Sequence, residues 1–522
     1  MPARSEARLD SVTANAAPAP PPRRIPLAGL LLTLILIAAA ALRIYNLSAL
    51  GYWTDEFCTL STANGWGLVF LRTPMDQVVP PTQPVATRYD HARPRADILP
   101  AVVREDAHPP LYILLVRAFE ALFRDDSEAH VRAVGVVFSV AAVALLYFVA
   151  RPFVGTSAAL WACLLLAVTG PQIEFSQEAG RYMPLMTFTL AAAWALARMR
   201  QRATIGAAIA LGAATLAMAL THYFAVGAAF AFGLYALLAL GGRARMLAIA
   251  AMAIAGVVFM ATWGPFMLRQ HPNVDAYYGW VQDHAGPGHA ARVLLDLDRL
   301  PARFLAEPSP SGWSNFVTLV AGVLWLLLPI AFVRRPNLRL FVLWIICAVG
   351  LVLCLDLARG TLQLRVLRYT LVATPAACVL IAAAVPRGRW AFVPPALAVT
   401  FALLRLPAAY VPPWKYDFRT PVEIVAPRLR AGDALVLAST DPLLVAVSYT
   451  AFQHYALPAM PAVVATLTKP ADNPTLDRLR ACGHVWIVWM TGRATPQQWL
   501  PGLRVEQSGE LTAESRIVEG RF

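Results

Sequence analysis

The sequence predicts a polytopic α-helical membrane protein that carries a small extracytoplasmic α/β domain after its last span. Three observations predict it. Of 522 residues, 58% are hydrophobic and 14% charged, whereas a soluble globular chain carries about 25% charged residues. The apolar residues fall into repeated runs, many close to the roughly 20 residues that a bilayer-crossing helix needs. After Pro412 the runs stop, and short strand-like and helix-like stretches replace them.

In chain order, residues 1–24 are rich in Pro and Ala with Arg4, Arg8, Arg23 and Arg24, and read as a disordered cytoplasmic tail. The uncharged run Ile25–Leu42 reads as a retained first span, closed by Arg43. A long first external loop, 44–131, follows, with an irregular Pro-rich middle from Pro74 to Pro100. Within it, Pro109–Phe123 is short and carries Arg117 and Glu120, so it reads as an amphipathic helix lying in the interface. Ten further runs complete about eleven spans: 133–150, 155–173, 182–197, 203–221, 223–242, 246–268, 316–333, 340–355, 369–386 and 390–411. The transmembrane part is thus 25–412, and 413–522 is the soluble extracytoplasmic domain. Its strands are expected at Ala434–Ala438, His484–Met490 and Ser515–Glu519, with a helix over Thr420–Leu429.

Leaving Pro109–Phe123 out of the span count fixes the topology. One set of loops then holds Arg151; Arg198, Arg200 and Arg202; Arg243 and Arg245; Arg334, Arg335 and Arg339; and Arg387 and Arg389, with no acid among them. These are cytoplasmic by the positive-inside rule. The same rule explains the net charge of +13 without a nucleic-acid partner. The six cysteines are scattered and form no CxxC or Cys/His pattern, so no metal ligand set is assigned. A divalent ion is neither called for nor argued against.

The opposite face collects the reactive side chains. Asp55 and Glu56 stand in Gly51-Tyr52-Trp53-Thr54-Asp55-Glu56-Phe57, about a dozen residues past the first span, in an aromatic setting suited to the interface. His108 precedes Pro109-Pro110. Gln177, Glu178, Arg181 and Tyr182 join two spans, and His222-Tyr223 begins another. Arg365, Arg368 and Tyr369 precede the tenth span. Positive charge on this face runs against the topological bias and suggests a bound anion such as a phosphate. The loop 269–315, with Tyr277, Tyr278, Trp280 and Trp313, reads as a lid over a lipid site or an aromatic belt.

In this order, Arg43, Asp55-Glu56, His108-Pro109-Pro110-Leu111-Tyr112, Ser176-Gln177-Glu178 with Arg181-Tyr182, and Thr221-His222-Tyr223 resemble glycosyltransferase family 39 and its relatives. These are the protein O-mannosyltransferases and the lipid A aminoarabinose transferases of the GT-C membrane fold. The resemblance covers about 25–240 and then the span pattern to 411. It implies a polyprenyl-phosphate-linked sugar donor, an envelope lipid, glycan or protein as acceptor, inversion at the sugar, and a bacterial-type inner membrane with the site on its outer face. It also implies Asp55 as the catalytic acid residue. Gly180 and Pro184 depart from the family's second motif, so either Glu178 or another residue supplies the second carboxylate. The sequence offers Arg43, His108, Gln177, Arg181, Tyr182, His222, Tyr223, Arg365, Arg368 and Tyr369 as substrate-binding candidates.

The chemistry fits these residue types. A carboxylate can take the proton of an acceptor hydroxyl, and arginine can stabilise a leaving lipid phosphate. The rival reading is a transporter or lipid flippase, which would place ionisable groups near the bilayer midplane; here the middles of the spans lack charges.

Overall fold

The computed structural model describes residues 27–79, 85–283, 286–306, 322, 328–385, 388–410, 415–456, 460, 463–490, 495–511 and 515–522, and of 273–278 the backbone alone. The N-terminal tail, most of the run 316–333, and Trp313 lie outside the described residues, as do the side chains of Tyr277 and Tyr278.

The membrane part is a helical bundle, because a chain in lipid must satisfy its backbone polar groups within each segment. It opens with α1 (Leu27–Ile44) and α2 (Thr54–Ala63), then α3 (Ile98–Glu105) and α4 (Leu111–Phe123). The long helix α5 (Glu128–Val154) leads to α6 (Thr156–Val168), α7 (Gly170–Ser176) and α8 (Tyr182–Gln201). Next come α9 (Ile205–Thr221), α10 (Ala225–Ala239), α11 (Gly242–Thr262), α12 (Gly264–Tyr278) and α13 (His289–Arg303). The bundle closes with α14 (Leu328–Arg334), α15 (Arg339–Arg359), α16 (Thr374–Ala382) and α17 (Val393–Arg405).

Among the described residues, five helical stretches are long and apolar enough to cross a membrane: α1, α5, α11, Pro336–Arg359 and Val393–Tyr410. The pair α6–α7, bent by 57°, makes a sixth. The bend has a local cause: Thr169 is extended, and Pro171 restarts the chain in the first turn of α7. Three shorter apolar helices, Ile205–Thr221, Ala225–Ala239 and Leu371–Ala382, stand where further spans are expected. Each expected run therefore holds a helix wherever it is described. Among the described residues, length and composition alone support five or six of the expected spans.

Some of the arginine-bearing loops pack against neighbouring helix ends. Arg200 stacks over Phe153 at 4.9 Å, Asn337 donates to the Phe153 carbonyl at 2.9 Å, and Arg335 donates to the Ala383 carbonyl at 2.6 Å. The segments around Phe153, Arg200, Arg335 and Ala383 thus lie close together.

Two expectations about the first external loop are corrected. The helix α4 has the expected place and 13 residues, about 20 Å of length. Its polar residues face protein rather than water: Arg117 and Glu120 are buried, and Arg117 donates to Asn64 Oδ1 at 2.9 Å. The Pro-rich stretch is also not wholly irregular, since it supplies α3 and the strand β1 (Gln77–Val79).

That strand alters the domain boundary. The C-terminal part contains β2 (Ala434–Ala438), β3 (Val463–Leu467), β4 (Val485–Trp489), β5 (Arg504–Glu510) and β6 (Arg516–Arg521). With β1 they form a sheet of order β1-β3-β2-β4-β6-β5. Its centre, β3-β2-β4, is parallel and its edges are antiparallel. The helix α18 (Arg419–Val425) stands where the sequence expects one, and α19 (Pro442–Ala456) crosses one face. Tyr52 and Phe57, beside Asp55, share one buried apolar cluster with Tyr449, Phe452 and Val488. The domain 413–522 therefore borrows a strand from the first external loop and shares a core with α2.

Candidate active site

Asp55 and Glu56 are adjacent in the first turn of α2, where the helix N-terminus favours negative charge. Their surroundings differ completely. Glu56 is fully buried. It takes a two-pronged contact from Arg132 of α5, with Nε to Oε1 and Nη2 to Oε2 both at 2.7 Å. It also accepts from the backbone N–H of Ala179 at 2.8 Å and of Trp53 at 3.2 Å. Arg132 spends its remaining donors on the carbonyls of Leu47, Leu50 and Gly51 at 2.8–2.9 Å. Burial opposes ionisation of Glu56, but Arg132 overcomes it and holds the carboxyl below its ordinary range. This closed unit fixes where α2 begins.

Asp55 instead points to a partly open site, with its side chain one-third exposed. Arg368 Nη1 meets its Oδ2 at 2.5 Å. The guanidinium is packed among aromatic rings: Trp280 at 5.4 Å, Tyr369 at 5.5 Å and Trp53 at 5.9 Å from their centroids. Its turn is set by Asp356 at the end of α15. That carboxylate accepts from Thr361 Oγ1 and Gln363 N at 2.7 Å and from Leu364 N at 2.8 Å. The chain from α12 is stitched to the same turn, with Leu362 N donating to the Val281 carbonyl at 2.9 Å. This places Trp280, from the expected lid loop, beside Arg368.

Glu178 lies next to this pair. It is buried, and its Oε2 stands 2.9 Å from Lys415 Nζ. Lys415 also sits over the Trp53 ring at 5.4 Å. Burial pushes the Glu178 carboxyl above its ordinary range; Lys415 works against this, and Asp55 and Glu56 add to it. Two glutamates that are equally buried thus shift in opposite directions, because one meets a bidentate arginine plus two N–H groups and the other a single ammonium. The turn carrying Glu178 rests on Gly135 of α5: a Cβ there would lie 2.6 Å from the Ser176 carbonyl and 3.2 Å from that of Glu178.

A third cluster joins Asp106, His108, Arg181 and His222. His108 Nδ1 lies 2.7 Å from Asp106 Oδ1, which Arg181 Nη1 approaches at 3.5 Å. Burial disfavours the Asp106 carboxylate, but Arg181 and His108 hold it down to about 2. Burial, followed by the charge of Arg181, lowers His108. Burial, then His108, lowers His222 well below its ordinary range. The two rings lie 5.0 Å apart, and Tyr182 stands 5.9 Å from His222.

Other expected site residues are engaged elsewhere. Arg43 is buried between α1, α5 and α6, donating to Ser139 Oγ at 2.7 Å and to the carbonyls of Ala39, Leu166 and Ala167 at 2.8–3.1 Å. Gln177 donates to the carbonyls of Arg43 and Tyr45 at 3.0 and 2.6 Å. Tyr223 hydrogen-bonds Gln270 at 2.5 Å and receives Trp263 Nε1 at 3.0 Å. Arg365 pairs with Asp296 at 3.2 Å and its side chain is 55% exposed, while the side chain of the next arginine, Arg368, is 10% exposed and packs against Asp55.

Sequence reasoning missed Arg132, Asp106 and Lys415. Arg132 carries the signal that singled out Arg368, a cation on the face where positive charge is topologically unhelpful. Lys415 had no such signal, because it stands just outside the expected membrane part. Among the described residues one group has metal-ligand spacing, His484, Glu506 and Glu519, whose ligand atoms lie within 4.8 Å of one another. It belongs to the C-terminal sheet, and Arg521 pairs with its Glu506 at 3.1 Å.

Residues 107–268 match the family model described as dolichyl-phosphate-mannose-protein mannosyltransferase. The match bears out the resemblance over this segment. No curated protein matches the sequence. Among solved structures the chain is similar to the S. cerevisiae protein O-mannosyltransferase Pmt1–Pmt2 complex bound to the sugar donor, at 17% identity and TM-score 0.35, over 51% of this chain and 35% of that one. It thus spans about a third of the yeast chain's length. It is also similar to ArnT from Cupriavidus metallidurans, at 15% identity and TM-score 0.43, over 95% and 98% of the two chains. A third similarity is to the arabinofuranosyltransferase AftD from Mycobacteria, at 12% identity and TM-score 0.45, over 94% and 40%.

Proposed function

We propose that this chain transfers one sugar from a polyprenyl-phosphate-linked donor to a hydroxyl of an envelope lipid, glycan or protein, on the extracytoplasmic face of a bacterial-type inner membrane, with inversion. The single observation that carries the reading is the pair Asp55–Arg368: a partly open carboxylate against a largely covered guanidinium, within an aromatic wall. The matched family's description supplies the donor class.

The roles follow from the geometry. Arg368 is the donor-phosphate cation. A bound phosphate would compete with Asp55 for the guanidinium, freeing the carboxylate as charge arrives beside it. Asp55 then accepts the proton of the acceptor hydroxyl as its oxygen attacks the anomeric carbon. The sugar–phosphate bond breaks, its electron pair leaves on the lipid phosphate, and Arg368 stabilises that charge. Trp53, Trp280 and Tyr369 offer faces for the sugar and limit water. Glu56 positions Asp55 through Arg132 and keeps out of the proton transfer. Glu178 is the second carboxylate near the reacting groups. The rings of His108 and His222, with Arg181 and Tyr182, form the polar wall next to it, where the buried His222 Nε2 and Tyr112 Oη have no hydrogen-bond partner among the described residues.

The test is transfer from a radiolabelled polyprenyl-phosphate sugar by the purified chain in proteoliposomes, with donor binding measured separately. Asp55→Asn keeps the shape and removes the base, so turnover falls on the order of 10²–10⁴-fold while donor binding survives. Near-normal turnover in that variant would remove Asp55 from the chemistry and most of the case for this activity.

A further inference from the structure

The chain from α17 into the C-terminal domain delivers a cation to the Asp55 site, and its approach is built rather than incidental. Behind it, Tyr410 Oη donates to the Leu42 carbonyl at the end of α1, at 2.7 Å. Ahead of it, Asp417 accepts from Arg419 N and Thr420 Oγ1 at 3.0 and 2.6 Å. Arg419 then reaches back to the Ala49 carbonyl at 2.8 Å and to Glu128 at 3.1 Å. Gly51 has no room for a Cβ against Arg419. Between these anchors stands Lys415, its side chain 9% exposed, with Nζ 2.9 Å from Glu178 Oε2 and over the Trp53 ring that also faces Arg368. Lys415 also lines a cleft open to solvent, shared with Asn46, Gln177, Tyr410, Tyr416 and Asp417.

We propose that Lys415 is a positioning residue of the transfer site: it holds Glu178 as a carboxylate beside Asp55, and through it the C-terminal domain takes part in the reaction rather than only in acceptor capture. The inference rests on the function proposed above. The charged and titratable groups facing Glu178 are Lys415 from the linker, Asp55 and Glu56 from α2, Arg368 from the turn after α15, and Tyr112 from α4. Two of these are acids whose charge drives a proton onto Glu178, and Arg368 is already committed to Asp55. Lys415 is the cation in direct contact. A Glu178 carboxylate next to Asp55 restrains Lys415 in turn; a protonated Glu178 does not.

The experiment measures turnover of the full chain against pH, with a polyprenyl-phosphate sugar as donor, for wild type, Lys415→Met, Lys415→Arg and Lys415→Met/Glu178→Gln. Removing a cation at this distance raises a carboxyl by about 1–3 pH units. The acidic limb of the Lys415→Met profile should move up by that amount, with activity recovering at high pH. Lys415→Arg should keep the wild-type limb, and the double variant should lose the displacement. An acidic limb unmoved in Lys415→Met would overturn the proposal. A second readout needs no donor: thermal unfolding in detergent at pH 8. Lys415→Met should lower the midpoint in the wild-type background and have little effect in Glu178→Gln. Equal losses in both backgrounds would also overturn it, as a purely structural lysine predicts. If this coupling is found but wild type transfers no sugar, the function falls and the pair stands.

Discussion

Arg132→Met is the sharpest perturbation of the framework under the site. The guanidinium spends five contacts within 2.9 Å, two on Glu56 and three on the carbonyls of Leu47, Leu50 and Gly51. Methionine fills similar volume but returns none of them. Glu56 keeps two backbone N–H donors, yet a buried carboxylate that loses its ion-pair partner costs about 3–5 kcal/mol. Glu56→Gln is milder, at about 1–3 kcal/mol, since Arg132 retains its three carbonyls. Residues in one network are not additive, and the double variant should show a coupling of about 1–3 kcal/mol. Activity should fall further than stability implies, because α2 starts at this unit and a displacement of about 1 Å at Asp55 can cost on the order of 10²-fold in turnover. Unfolding in mixed micelles gives the stability, and transfer in proteoliposomes gives the turnover. Arg132→Met within about 1 kcal/mol of wild type would refute the claim that this pair anchors α2.

Three further outcomes are expected. Arg368→Gln should weaken donor binding by about 2–5 kcal/mol, as for a buried charge contact, and Arg365→Gln by under about 1 kcal/mol, as for an exposed pair; equal effects in a binding titration would deny the distinction. Gly135→Ala should cost about 1–3 kcal/mol of stability and lower turnover by displacing the Glu178 turn, and normal values of both would mean that the turn relaxes freely. Glu120, buried with neither carboxyl oxygen hydrogen-bonded among the described residues, is pushed up by burial from 4.5 to about 8. A carboxyl raised on folding contributes stability that is full below the unfolded value and is lost as pH rises through the folded one. Glu120→Gln should therefore gain on wild type between about pH 5 and 8 in pH-dependent thermal unfolding, and a constant difference across that range would count against the shift.

How much of this was legible in the chain depends on the range of the forces involved. The amino-acid sequence by itself determined the class of molecule, because apolar runs are local signals. It also marked Asp55, Glu178, His108, Arg181, His222 and Arg368 as a group, since all fall in loops or helix ends of one face. Strand Ala434–Ala438 was legible to the residue, being a continuous apolar run buried on both faces. The tertiary structure alone decided what each charge does. Asp55 and Glu56 are neighbours of the same chemical type; only the arrival of Arg132 and Ala179 makes one a sealed anchor and leaves the other open to Arg368. Arg365 and Arg368 lie three positions apart, and one faces solvent while the other is largely covered, because Asp356 sets the turn between α15 and the next helix. Lys415 reaches Glu178 across more than two hundred residues of sequence. Likewise β1 joins the C-terminal sheet from the first external loop. Such contacts depend on which helix ends meet, and no local periodicity encodes that.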